Sequence, residues 1–68
     1  MILVVARDVP SDESIELGIF DSVQLTYNEL RTDNDLVIAT MVDQSDERMM
    51  WEAQGVLWSD ITFESVER

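Results

Sequence analysis

The apolar residues of this chain fall in short runs of strand length, and that spacing constrains its fold more than any other feature. ILVVA (2–6) is β-branched and continuous, as a buried strand is. ARDVPSDE then breaks the run, because Pro10 removes a backbone donor and Ser and Asp favour a turn. SIELGIF (14–20) alternates, which predicts a strand with Ile15, Leu17 and Ile19 on one face and Glu13 and Glu16 near its start. DLVIATMVD (35–43) is apolar on both faces and reads as a central strand. DQSDE (43–47) is a turn by composition, RMMWEAQ (48–54) its hairpin partner with Met49, Trp51 and Ala53 on one face, and Gly55 the next turn. VLWSDITFESV (56–66) closes the sheet, with a bend at Ser59-Asp60.

DSVQLTYNEL (21–30) reads two ways. As a strand it alternates Val23, Leu25 and Tyr27, and the β-propensity of Val, Thr and Tyr supports that. As a helix it stacks Val23, Tyr27 and Leu30 at i, i+4, i+7, with Asp21 as N-cap and Gln24 three residues later. Giving the cap precedence, the expected fold is α+β: one domain over residues 1–68, a small twisted, mainly antiparallel sheet of about five strands with one helix packed on a face.

Charge sets the function classes. Fifteen Asp and Glu stand against four Arg and no Lys, for a net charge of −11. Phosphate contacts need Lys and Arg, so direct nucleic-acid binding is not expected, whereas capture by a basic partner is favoured. With 46% hydrophobic residues the chain is too apolar for an acidic disordered tail. Cys and His are both absent, which removes disulfides, the usual zinc ligands and the usual general bases. The expectation is a non-enzyme without a cofactor or metal. No apolar run reaches membrane-spanning length, and MILVVA is too short and too soon followed by Asp8 to be a signal peptide. These features predict a soluble, cytoplasmic chain, a monomer or small homo-oligomer.

Three groupings suggest sites. TDND (32–35) and DQSDE (43–47) concentrate oxygen ligands, yet both lack the glycine and bidentate Glu of an EF-hand loop; solvated turns are the simpler reading. Met41, Met49, Met50 and Trp51 form a soft apolar cluster, which serves either as core filling or as a surface that receives a partner's side chain. The acids of residues 11–20 lie on an extended segment where residues two apart sit roughly 6.6 Å from each other, comparable to the spacing of neighbouring backbone phosphates. A halophile-type surface, rich in acids and poor in Lys, accounts for the same composition.

ESI (13–15), the helix candidate and DLVIATMVDQSDERMM (35–50) together resemble the phage uracil-DNA glycosylase inhibitor family. The second stretch is similar to that family's D-aliphatic-aliphatic-V-x-T-x-x-D-x-S strand, acidic turn and Met-bearing strand, and the likeness spans roughly residues 13 to 52. MILVVARD departs from it, reading as a strand where the family has a helix; so do Glu16 and Gly18, which stand where apolar residues are usual. The resemblance implies a DNA mimic that inhibits the glycosylase stoichiometrically by occupying its basic DNA-binding groove. It assigns Glu13, Ser14 and Ile15 to groove contacts, the carboxylate and hydroxyl standing in for phosphates, and Asp21 to the acid at the helix start; Glu16, on the same strand, joins them as an expected charge-mimic contact. It assigns Leu17, Val23, Ile38 and Met50 to a hydrophobic pocket, between helix and sheet, for the enzyme's intercalating leucine. Two other functions fit the composition: mimicry aimed at another DNA-binding defence enzyme, such as a restriction nuclease or CRISPR effector, and an acidic halophile-type interaction module.

Overall fold

The computed structural model describes residues 1–43 and 49–67, and every regular element among them is a strand. In chain order these are β1 (Ile2–Asp8), β2 (Glu13–Phe20), β3 (Val23–Thr26), β4 (Glu29–Thr32), β5 (Val37–Asp43), β6 (Met49–Ala53), β7 (Val56–Trp58) and β8 (Asp60–Ser65). They form two antiparallel sheets, β2-β1-β8 and β3-β4-β5-β6-β7. Two segments pass from one sheet to the other: residues 13–26 turn at Asp21-Ser22, and residues 56–65 turn at Ser59. Followed through these two bent segments, the strand order returns to its start, and the sheets enclose one core in a flattened, barrel-like body of 39 × 27 × 17 Å.

The expected α+β class, with one sheet of about five strands and a helix on its face, is therefore wrong: eight strands among the described residues form two sheets, and the expected helix at residues 21–30 is a hairpin. Val23–Thr26 and Glu29–Thr32 pair as a hairpin around Tyr27-Asn28, both with positive φ (54° and 65°). A two-residue loop with that geometry is a type I′ turn, whose twist matches the flanking strands. A helix would have covered only Val23, Tyr27 and Leu30. The hairpin instead buries Leu30 and Thr32 in β4 and packs Val23 on the core. Both ends are tied to the sheet: the Asp33 N–H donates to the Ser22 carbonyl (3.2 Å) and the Met41 N–H to the Asn28 carbonyl (2.7 Å). Asp21 is an exposed corner residue and caps no helix.

The remaining expectations fare better. β1, β2, the β5–β6 hairpin, the turn at Gly55 and the bend at Ser59 stand where the sequence placed them, and β5 is the middle strand of its sheet. Asp35 and Leu36 fall outside β5, in a turn held by Thr32: the Thr32 N–H donates to the Leu36 carbonyl (2.9 Å) and the Asp35 N–H to the Thr32 carbonyl (3.0 Å). Apart from Asp43, the acidic turn expected at 43–47 lies outside the described residues.

Among the described residues the buried apolar core is Val4, Ala6, Leu30, Ala39, Ala53, Trp58 and Ile61. Trp58 supplies the bulk, and its indole N–H donates to the Ala53 carbonyl (3.2 Å), so the buried ring leaves no orphan donor. Next to it, the Ser59 hydroxyl accepts from the Val9 N–H (2.8 Å) and donates to the Arg7 carbonyl (3.2 Å). That side chain prolongs the β1–β8 ladder past its last backbone pair, Arg7 and Asp60.

A β-bulge interrupts the alternation of β2. Val4 pairs with Gly18 and Val5 with Glu16, leaving Leu17 as the extra residue. Ile15 and Leu17 pack toward the core while Ile19, opposite Leu3, turns to the outer face; the expected single face of Ile15, Leu17 and Ile19 is broken there. Gly18 adopts φ +143°, and a Cβ at this position would stand 2.7 Å from the Phe20 ring. Gly18→Ala should lower stability by about 2 kcal/mol, through strain at a backbone conformation that L residues avoid and through overpacking; an unchanged midpoint in thermal or urea unfolding refutes this. Ser59→Ala should cost about 1–2 kcal/mol for the two lost bonds, read as a drop in melting temperature of several degrees in the same assay.

Candidate functional site

β2 carries the residues singled out for charge mimicry, and strand geometry divides them. Glu13 and Ile15 pair with Asp8 and Ala6 on the side that faces the core, whereas Ser14 and Glu16 pair with Arg7 and Val5 on the outer face. Glu13 lies past the end of the core and is exposed, as are Ser14, Glu16 and Asp21; Ile15 is half-buried. The expected row of phosphate stand-ins is thus a strand with carboxylates on both of its faces, followed by Asp21 at the corner into β3.

The outer face of the three-stranded sheet has a definite pattern. Across β2, β1 and β8 the register aligns Ile19, Leu3 and Glu64, then Glu16, Val5 and Thr62, then Ser14, Arg7 and Asp60. Half-buried apolar residues occupy its middle, with Glu16, Glu64 and Asp60 exposed around them. At the β2 side a shallow cleft of about 390 Å³ is lined by Met1, Glu16, Gly18 and Ile19. The bulge shapes it by turning Ile19 to the outer face, while the missing side chain of Gly18 makes room for the Phe20 ring.

Positive charge on the described surface is locally answered. The Arg7 guanidinium meets the Asp12 carboxylate (3.4 Å), and Arg31 donates to Glu29 from both Nε (3.0 Å) and Nη2 (2.5 Å). Exposed pairs of this kind contribute little stability, but they cancel the field of both arginines. The surplus field of the described surface is negative, with exposed carboxylates at Glu13, Glu16, Asp21, Asp33, Asp35, Asp43, Glu52, Asp60, Glu64 and Glu67. Among the described residues no three Asp or Glu side chains converge closely enough to hold a metal ion.

The four residues assigned to a hydrophobic pocket do not gather into one. Leu17, Val23 and Ile38 are half-buried and packed against the core. Leu17 and Ile38 are both bulge residues, since Leu30 pairs with Ala39 and Arg31 with Val37, which leaves Ile38 extra in β5. Met50 pairs with Val42 on the face of β6 opposite Trp51. The helix that would have formed one wall is the β3–β4 hairpin. Of the Met cluster, Met41, Met49 and Trp51 share one face of the β5–β6 pair, with Met49 exposed at its end, and Met50 alone lies on the other.

Two features escaped the sequence reading. The cleft at Met1 and Ile19 depends on the bulge, whose only sequence signal is a glycine inside an alternating strand. Tyr27 is 95% exposed at a hairpin tip with positive φ, a conformation uncommon for a bulky residue; Asn28 beside it was the available turn signal. No helix among the described residues is long and apolar enough to cross a membrane. Compared with protein-family models, with curated proteins and with solved structures, the chain matches none of them.

Proposed function

We propose that this protein is a stoichiometric, non-catalytic ligand of a basic nucleic-acid-binding surface, on which its carboxylates stand in for phosphates. The observation that carries this reading is the one-sided charge of a strand scaffold: both arginines of the described surface are matched by acids, and the exposed carboxylates of Glu13, Glu16, Asp43, Glu52, Asp60 and Glu64 sit on paired strands. Groups fixed before binding lose little ordering entropy on association, and a strong negative field speeds encounter with a basic groove. Uracil-DNA glycosylase is the first target to assay, on the strength of the resemblance over residues 13–52. The binding mode differs from the one that resemblance implies, because an all-β chain has no pocket between helix and sheet; the β2 face and its cleft take that place. The proposed setting is the cytoplasm, including a host cytoplasm if the chain is phage-encoded.

A second reading is favoured by one observation: exposed acids occur on both sheets and in the connecting turns, not on β2 alone. That distribution suits a salt-adapted interaction module as well. Salt separates the two. A mimic folds in low salt and loses association rate as its charges are screened, over a Debye length of about 10 Å at 0.1 M; a salt-adapted module gains stability in molar salt.

Titration into a uracil-excision reaction with a bacterial-type glycosylase should abolish activity near one equivalent in low salt. No inhibition at about tenfold excess withdraws the glycosylase as target, and binding to other basic DNA-processing enzymes then becomes the test of mimicry. Circular dichroism across the same salt series should give a folded β spectrum at the lowest salt; an unfolded chain there that folds only in molar salt supports the salt-adapted module instead.

A further inference from the structure

We infer that the free edge of β2 accepts an extended, basic segment of a partner protein as an added strand, one of whose apolar side chains enters the cleft beside Met1 and Ile19. This rests on the reading that the partner is basic and specifies how it is held. β2 is eight residues long and pairs only with β1; no described strand bonds to its other side. Alternate residues of such an edge direct N–H and C=O groups outward, a template for another chain. The other outer strands offer less: β3 has four residues and β7 three, while β8, with six, packs beside β6.

Charge selects the occupant. A second copy pairing along β2 would bring Glu13 and Glu16 against the same residues of its twin, with −11 on each chain, and directly opposed like charges are destabilising. The edge is thus protected from its own kind but open to a strand bearing Lys or Arg. The bulge at Leu17, next to Gly18, limits regular pairing to the stretch from Glu13 to Glu16. Beyond it lies the shallow cleft of Met1, Glu16, Gly18 and Ile19, a partly apolar socket with a carboxylate at its rim. Main-chain bonds would supply affinity and the socket would set the register, the division of labour usual in strand addition.

Two synthetic peptides of alternating Lys and Leu test this, one with an ordinary backbone and one N-methylated at every second amide, which keeps the charge but removes strand donors. With the full chain in low salt, the ordinary peptide should slow amide exchange at outward-facing positions of residues 13–16, and the N-methylated peptide should bind at least about tenfold more weakly. Glu16→Lys, checked for an unchanged melting temperature, should weaken the ordinary peptide, as should the milder Glu16→Gln. Equal affinity of the two peptides, no binding of the ordinary peptide, or protection on β3 or β8 in place of β2 overturns strand addition. If the chain still inhibits a glycosylase or binds another basic enzyme in that event, only this inference falls; if it binds no basic protein either, the function proposed above falls with it.

Discussion

Everything in this small body depends on burying one indole without leaving its N–H unpaired. A chain of 68 residues encloses little volume, and three of the seven buried apolar residues among those described are alanines. Trp58 supplies the bulk those residues lack, and it does so at the end of β7, one residue before the chain bends into the other sheet. Its bond to the Ala53 carbonyl stays within the β6–β7 hairpin, while Ser59 ties the bend to β1 through Arg7 and Val9. Ring, hairpin and bend thus stabilise each other, and the two sheets share one core as a result.

The same economy governs the surface. A core this small leaves little stability to offset repulsion among fifteen carboxylates. Strand alternation relieves part of that repulsion by sending Glu13 and Glu16 to opposite faces of β2, and the register sets Glu64 and Asp60 two strands away across the outer face. Short ion pairs absorb both described arginines. What remains is a negative field on a frame of paired strands, which is the ground for the basic partner proposed above.

Two bulges shape the surface that such a partner would meet. Each inserts one apolar residue, Leu17 in β2 and Ile38 in β5, and each turns that residue onto the core. Residues that a resemblance assigned to an open pocket are thereby consumed in packing. An opening on the surface instead lies beside Ile19, which has turned outward next to Met1 and Glu16.

The sequence by itself determined where most of the strands lie and what the net charge is. Runs such as ILVVA and DLVIATMVD carry their pattern locally, Gly55 marks its turn, Ser59-Asp60 marks the bend, and net charge is a sum that folding does not alter. Residues 21–30 were legible only in part, because a three-residue helical stripe and a strand alternation coexist in DSVQLTYNEL. The choice was made by partners distant in sequence: Ala39 beside Leu30, the Met41 N–H on the Asn28 carbonyl, and a core that takes in Leu30 and Thr32. The bulges were illegible for the same reason, since an extra residue is defined only against the strand it pairs with. Pairing register and core volume are properties of several segments at once, so tertiary structure alone decided the all-β architecture, the split of the carboxylates between two faces and the place of the cleft.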